Sequence, residues 1–121
     1  MLTLEEILND FAAYIGEGHP ENVGLDSASA TGETPLHWMA TIGDSGAIKM
    51  LVDAGAEVNA QDRAGNTALH CAVASRQASA AKALLLLGAN AFQENLEGVS
   101  PSGLSQQDEF RPVQALFGER A

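Results

Sequence analysis

The side chains best suited to acid–base or nucleophilic chemistry in this sequence are His37, His70 and Cys71. A histidine can serve as a general base, and a neighbouring thiolate can serve as a nucleophile. Cys71 directly follows His70, however, and adjacent side chains on a helix point about 100° apart, so this spacing does not favour a thiolate–imidazole pair. His37 and His70 have similar neighbours in the sequence, whereas an enzyme needs its general base once. We therefore expect structural roles for both, with a small hydrolase built on these residues as the enzymatic alternative.

Patterns for metal ions, cofactors and nucleotides are absent from the sequence. The three histidines and one cysteine show none of the C-x-x-C, H-x-x-x-H or H-E-x-x-H spacings that bring ligands onto one ion. The Asp and Glu residues form no calcium loop, and Gly16 and Gly18 end a helical pattern instead of opening one after a strand. We expect no catalytic residue, no metal and no cofactor.

The charge of the chain indicates the chemistry of a partner. Sixteen Asp and Glu residues against six Lys and Arg give a net charge of −10, which argues against binding nucleic acid or an anionic membrane through a basic patch. Residues 1–33 contain seven acidic residues and no Lys or Arg. Either this acidic end keeps the chain in solution, or it attracts a basic protein through complementary fields.

Length and cysteine content bear on domain organisation and compartment. A chain of 121 residues with 45% apolar residues allows a single domain over residues 1–121. One cysteine permits no intramolecular disulfide, which fits a reducing compartment. Glu5 and Glu6 stand where a secretory signal would carry Lys or Arg, and no apolar run approaches 18 residues. These features predict a cytoplasmic protein without a membrane-spanning segment.

The sequence repeats itself with a 33-residue period. Residues 32–61 align with residues 65–93, and a weaker third copy begins at Gly98, where Ser102 and Gly103 replace the Leu and His of the first two copies. A fixed period of this length is the signature of a solenoid. The matched pairs are Gly32/Gly65, Thr34/Thr67, Leu36/Leu69, His37/His70, Ala40/Val73, Ala47/Ala80, Leu51/Leu84, Val52/Leu85, Gly55/Gly88 and Ala56/Ala89.

The first copy carries the start and stop signals of two short helices. The Thr34 hydroxyl can cap a helix whose first position is Pro35, where a missing N–H costs nothing. Gly43 can end that helix in the left-handed conformation, and an apolar stripe on residues 47–52 predicts a second helix that ends at Gly55. The residues that follow are polar and rich in turn formers. The copy therefore predicts a helix-turn-helix unit followed by a turn.

The segment 32–37, Gly-Glu-Thr-Pro-Leu-His, followed by Gly43 and Gly55, resembles the ankyrin repeat. The resemblance covers nearly the whole chain and implies an all-α ankyrin-repeat solenoid of helix-turn-helix units with β-turn fingers. It also implies that the repeated histidine bonds to neighbouring backbone. The organisation it predicts is an N-terminal capping unit at 1–30, repeats at 31–61 and 62–94, and a degenerate C-terminal capping repeat at 95–121.

The beginning of the chain departs from the repeat. Apolar residues at three- and four-residue spacing predict an amphipathic helix over residues 4–15, opened by a capping box of Thr3 and Glu6. The 33-residue offset pairs Tyr14 with Ala47, which lies on the second helix of the first repeat. We therefore expect the N-terminal helix to be the second helix of a capping unit.

Three further departures fall in the second and third copies. Arg76 occupies the place of Gly43, and a left-handed backbone there costs about 1 kcal/mol for a residue with a Cβ. Phe92 stands in the position of Asn59, which predicts a bent or shortened finger. A proline opens a predicted short helix over residues 113–117, which would cover the last repeat.

The resemblance also implies a binding surface, because ankyrin repeats usually bind proteins through the finger tips and the exposed positions of the inner helices. Outside that surface, Trp38 is expected to pack in the core, and Leu86 to form an exposed apolar spot on an outer helix. The positions carried over by the offset are Glu33, Thr41, Ile42, Arg63, Ala64, Asn66, Ala74, Ser75, Leu96, Glu97, Val99, Gln107 and Asp108.

These features together predict a non-enzymatic protein-binding module. We expect it to bind a basic partner protein and to inhibit or regulate that partner, for example as an immunity protein that neutralises a toxin. The alternative is a scaffolding adaptor that links two proteins without inhibiting either.

Overall fold

The computed structural model of the chain describes residues 3–16 and 23–105, and within these ranges it is helical without β-strands. This confirms the all-α fold class. None of the helices in these ranges combines the length and the apolar character needed to cross a membrane. The predicted helix at 113–117 and the candidate residues Gln107 and Asp108 lie outside the described residues. The described helices are α1 (Leu4–Ile15), α2 (Pro35–Ile42), α3 (Ser45–Asp53), α4 (Ala68–Ala74), α5 (Ala78–Leu86) and α6 (Pro101–Ser105).

Helices α2 to α5 form two antiparallel pairs that stack side by side. The inner helices α2 and α4 pack against each other, the outer helices α3 and α5 do the same, and α6 continues the inner row by packing on α4. Leu36 and Leu69 from the inner row meet Ile48, Leu51 and Leu84 from the outer row in one core, and each is at most 2% exposed. Burial of a Leu or Ile side chain stabilises by about 1.5 to 3 kcal/mol, and neither pair could bury these side chains alone.

Both inner helices of the stacked pairs begin in the same way. The Thr34 hydroxyl accepts a hydrogen bond from the backbone N–H of His37, and the His37 ring accepts one from the backbone N–H of Thr34 at 3.1 Å. Thr67 and His70 form the same reciprocal cap at the start of α4. Pro35 lies in the first turn of α2, as the sequence predicts.

The turns between the helices of each pair require left-handed backbone. Gly43 ends α2 with φ of 92°, and its N–H donates to the carbonyl of Met39. Arg76 occupies the same place after α4 with φ of 58°, so the backbone there is left-handed and the condition for the strain cost is met. It is the one non-glycine residue with positive φ in the described part of the chain. The second pair therefore carries a local strain that the first pair avoids.

Helix α1 is set by its own caps and does not follow the 33-residue register. Thr3 and Glu6 form the predicted capping box, and Gly16 ends the helix at φ of 79°. Applying the offset to α3 would place a helix at 12–20, and the pairing of Tyr14 with Ala47 is wrong in structural terms, because Tyr14 is 52% exposed while Ala47 is buried. The helix packs against both α2 and α3, so it covers the end of the first pair.

The described part of the third inner helix is short. Helix α6 spans Pro101–Ser105, and the Ser100 hydroxyl accepts a hydrogen bond from the N–H of Gly103. Ser102 and Ser105 are buried at positions where the inner helices α2 and α4 have apolar side chains, and the Ser105 hydroxyl donates to the Ser102 carbonyl. The degenerate third copy therefore keeps its place in the inner row with a polar substitute for the repeated core.

Replacing Arg76 by Gly is expected to raise the free energy of unfolding by about 1 kcal/mol, because glycine adopts positive φ without the Cβ clash. Urea unfolding followed by circular dichroism measures the change. Arg76→Ala is the matched control, since it removes the side chain but keeps the Cβ. An equal gain in both variants, or a loss in the glycine variant, would contradict the strain assigned to this turn.

Candidate functional site

Three turns of the solenoid share one hydrogen-bonding pattern. In each, a short polar side chain accepts hydrogen bonds from the backbone N–H groups two and four residues later. Ser29, Asp62 and Asn95 fill this role and are separated by the 33-residue period. Each residue also donates its own backbone N–H to a carbonyl four residues on, which closes the turn. We call these three turns the fingers.

The fingers are joined to one another by backbone hydrogen bonds. The N–H of Arg63 donates to the carbonyl of Thr31 at 3.0 Å, and the N–H of Leu96 donates to the carbonyl of Ala64 at 3.0 Å. A Cβ on Gly65 would lie 2.7 Å from the Leu96 nitrogen, so this close approach requires glycine. The finger after Phe92 has the same hydrogen bonds as the one before it, and the prediction that it is bent or shortened is wrong. Phe92 itself is exposed, so the backbone does not have to adjust to it.

The two repeated histidines connect each helix pair to the next finger. The Nε2 of His37 lies 2.8 Å from the carbonyl of Asn66, and the Nε2 of His70 lies 2.7 Å from the carbonyl of Val99. Because Nδ1 of each ring accepts a backbone N–H, Nε2 must carry the proton and donate. Both rings are buried and fully bonded, which confirms the structural role predicted for them.

The hydrolase alternative finds no support in this geometry. Neither ring nitrogen of His70 is available to take a proton from Cys71, because one accepts from Thr67 and the other donates to Val99. Burial, followed by the nearby Asp62 carboxylate, raises the pKa of the Cys71 thiol to about 12, so a thiolate is not formed near neutral pH. Cys71 is half-buried. Within residues 3–16 and 23–105, no group of three or more His, Cys, Asp or Glu side chains is placed to hold a metal ion.

A groove of about 390 Å³, which we call the concave groove, runs between the fingers and the inner helices. Three carboxylate residues line it, Glu33, Asp62 and Glu97, one from each finger, and no Lys or Arg of residues 3–16 and 23–105 does. Among pairs of described residues, the one ion pair joins Lys49 and Asp53 on the outer helix α3. The groove therefore presents negative charge that no described cation neutralises.

The structure brings together seven of the eleven described candidate residues. Of the others, Ile42 and Leu96 are exposed at 51% and 78%, and Arg63 and Ala64 are exposed at a finger tip, beside the groove instead of in its lining. The seven that line the groove are Glu33, Thr41, Asn66, Ala74, Ser75, Glu97 and Val99.

Five residues that the sequence reasoning did not select also line the groove. Asp62 and Asn95 could have been found, because they share the 33-residue offset with Ser29 and recur at the base of each finger. The other three are His70, Cys71 and Leu104, all from inner helices. The sequence suggests His70 and Cys71 only as catalytic candidates, whereas one face of each contributes to the groove wall.

The outer helices carry a second, apolar recess. It lies between α3 and α5, has a volume of about 360 Å³, and is lined by Lys49, Ala83, Leu86 and Leu87 among others. Leu86 is 78% exposed, which confirms the exposed apolar spot expected there. This recess shares no lining residue with the concave groove.

Helix pairs stacked in a row, with their turns bonded to one another along an open groove, define a helical-repeat solenoid. A family model described as "Ankyrin repeats (3 copies)" matches residues 5–95. The chain belongs to the ankyrin-repeat family, as the repeat predicts, and it is a protein–protein interaction module.

Several characterised proteins are similar to this chain. Mouse protein phosphatase 1 regulatory subunit 27 is 32% identical over 116 residues, which cover 88% of this chain and 75% of that protein. Probable palmitoyltransferase AKR2 of Saccharomyces uvarum is 35% identical over 85 residues, which cover 70% of this chain and 12% of that protein. The neurogenic locus Notch protein of Drosophila melanogaster is 41% identical over 70 residues, which cover 58% of this chain and 2% of that protein. The chain spans only a small part of the last two proteins.

Substituting His70 by Gln is expected to lower the free energy of unfolding by about 1 to 3 kcal/mol, because the buried N–H of Thr67 loses its acceptor. Urea unfolding at pH 7.5 measures this loss. An unchanged stability would contradict the structural role of the ring.

The same variant tests the pH dependence of stability. Burial lowers the pKa of His70 in the folded chain, so protonation favours the unfolded state. The contribution of the neutral ring is fully present above the unfolded-state pKa of about 6.5 and is lost as pH falls below it. Between pH 7.5 and pH 5, the parent chain should therefore lose more stability than His70→Gln. Parallel stability curves for the two proteins would contradict this assignment.

Proposed function

We propose that this chain is a non-enzymatic module that captures a basic partner protein in its concave groove and thereby inhibits or regulates that partner. A toxin held by its immunity protein is one form of this function. The observation that carries the proposal is the charge of the groove, where each finger contributes one carboxylate and none is paired with Lys or Arg among the described residues. Complementary charge speeds encounter with a basic protein and selects it against acidic competitors.

The groove has the physical form of a recognition surface. Its walls are held by the backbone hydrogen bonds between neighbouring fingers and by the buried histidines. Binding therefore does not require the backbone to become ordered first. Its exposed lining residues, such as Thr41 and Ala74, lie on inner helices whose opposite sides are fixed in the core. These side chains can therefore vary without changing the fold.

One relative supports a regulatory role over a catalytic one. Mouse protein phosphatase 1 regulatory subunit 27, which shares 32% identity over 88% of this chain, is named as a regulatory subunit. The protonated thiol of Cys71 and the fully bonded ring of His70 add to this support, since neither is available for nucleophilic catalysis.

The adaptor function is favoured by a different observation, the apolar recess beside Leu86 on the outer helices. An exposed apolar patch separate from the groove offers room for a second partner while the first is held. A regulator needs only the groove, whereas an adaptor needs both surfaces.

The groove is tested by capture of a partner from cytoplasmic extract of the native cell, identification of the retained protein, and titration of the two purified proteins. Ala74→Arg places a bulky cation in the groove, and Glu97→Lys reverses a groove charge. Both should weaken the complex at least about tenfold, a loss of about 1.4 kcal/mol of binding free energy. Raising the salt concentration should also weaken it, because the attraction is between charges.

Matched controls carry the same changes away from the groove. The control variants are Ala54→Arg, at the residue that ends α3, and Glu57→Lys, in the turn after that helix. Both positions are exposed. These variants should bind as the parent chain does. A complex that tolerates both groove changes would show that the partner binds elsewhere.

An assay of the captured partner then separates the two functions. Loss of its activity at one equivalent of this chain supports inhibition, and for a toxin, co-expression of this chain should restore growth. Binding of a second protein while the first is held, with the activity of both intact, supports the adaptor instead.

A further inference from the structure

Two aromatic rings and a carboxylate meet at the α1 end of the groove. The rings of Tyr14 and Trp38 are stacked, with centroids 5.1 Å apart and planes inclined by 20°. Phe11, which is fully buried, supports both from below at 5.9 to 6.0 Å. The Tyr14 hydroxyl donates to the Glu33 carboxylate at 3.1 Å. We call Tyr14, Trp38 and Glu33 the aromatic corner.

The aromatic corner is open to solvent and continuous with the groove. Tyr14 is 52% exposed, although Trp38 and Phe11 occupy the space on its inner side. A shallow recess of about 310 Å³ lies beside it, with Tyr14, Ile15 and Glu33 in its lining. Because Glu33 also lines the concave groove, a chain lying in the groove can reach the recess. The sequence places Trp38 in the core, and the structure shows it half-buried beneath this surface.

The charge of the aromatic corner is not neutralised within the described residues. The hydrogen bond with Glu33, aided by burial, raises the pKa of Tyr14, so the hydroxyl stays protonated and remains a donor. Helix α1 carries three acidic residues and no Lys or Arg, and the Glu33 carboxylate has no ion pair in the described part of the chain. An exposed aromatic ring beside an unpaired carboxylate is a favourable environment for a cation.

We propose that the aromatic corner binds an arginine side chain of the partner, with its guanidinium stacked on the exposed face of Tyr14 and its N–H groups donating to Glu33. This inference rests on the proposed function and specifies the side chain that anchors the partner at one end of the groove. A planar guanidinium can stack on a ring and donate to a carboxylate at the same time, because its donors lie in the plane of the stack. A lysine ammonium has no plane to stack and is more strongly hydrated. The charge and the shape of the site therefore both select arginine.

Short peptides test the aromatic corner without the partner. Trp38 is the only tryptophan in the chain, so its indole N–H gives one NMR signal at the site. Titration with acetyl-Gly-Arg-Gly-amide should shift this signal in a saturable manner. The same peptide with citrulline, which keeps the shape but lacks the charge, should bind at least about tenfold more weakly, and the lysine peptide should fall between them. Equal shifts with the arginine and citrulline peptides, or no shift, would overturn the proposal.

Variants locate the binding within the corner. Glu33→Gln keeps a hydrogen-bond acceptor and removes the charge, and Tyr14→Ala removes the stacking face, so each should weaken the arginine peptide about tenfold. Tyr14→Phe keeps the ring and should lose no more than about threefold, which guards against misfolding of the alanine variant. Glu57→Gln and Phe92→Ala are the matched controls, an exposed carboxylate outside the groove and an exposed aromatic outside the corner, and both should bind as the parent does.

The captured partner distinguishes failure of this inference from failure of the proposed function. A partner whose binding is weakened by Ala74→Arg and also by Tyr14→Ala and Glu33→Gln supports both. If Ala74→Arg weakens the complex and the two corner variants leave it unchanged, the groove function stands and the arginine site is overturned. If the arginine peptide binds with the predicted dependence on Tyr14 and Glu33 while no basic partner can be captured, the site stands and the proposed function fails.

Discussion

A hydrogen bond from a buried imidazole to a backbone carbonyl of the following finger holds successive parts of this solenoid together. His37 reaches the carbonyl of Asn66, and His70 reaches that of Val99. Each ring also caps the start of its own helix, so one side chain fixes both the direction of a helix and its distance from the next finger. The hydrogen bonds between neighbouring fingers and the close approach of Gly65 to the Leu96 backbone follow from that fixed distance. A neutral ring with its proton on Nε2 is the only form that satisfies both bonds, since protonation would remove the acceptor at Nδ1.

This arrangement separates the residues that stabilise the fold from those that face the groove. The inner helices direct Leu36 and Leu69 into the core, while Thr41 and Ala74 are exposed on the groove side. Unpaired carboxylates in the groove repel one another and so oppose folding slightly. Hydrogen bonds between backbone N–H groups and short polar side chains stabilise the base of the fingers. No ion pair between described residues contributes there. The groove can therefore keep a charge that the fold itself does not use and that is available to the proposed partner.

Features that depend on local backbone chemistry were predictable from the sequence. The cap at Thr34, the left-handed turn at Arg76 and the capping box of Thr3 each involve residues close together in the chain, and the repeat shows where the first two recur. The lining of the groove was predictable only in part. Whether Cys71 or Leu104 reaches the groove surface depends on how closely neighbouring helices approach. The regular finger after Phe92 was not predictable either, because it depends on the Phe92 side chain being exposed to solvent. The offset failed for Tyr14, since α1 takes its register from its own two caps.

That failure at α1 bears on where specificity can lie in such a chain. Positions that recur in every full repeat, such as His37 and His70, do the same structural work in each unit and cannot distinguish one partner from another. The position of helix α1 across the end of the first pair brings Tyr14 over Trp38, where the second unit has only the small Cys71. The stacked rings have a core beneath them and solvent above, which gives a rigid surface whose binding does not require ordering of the chain. The break in the period is therefore the place where the fold leaves an aromatic side chain exposed and available for the proposed binding, and in this chain that place is also the most acidic part of the sequence.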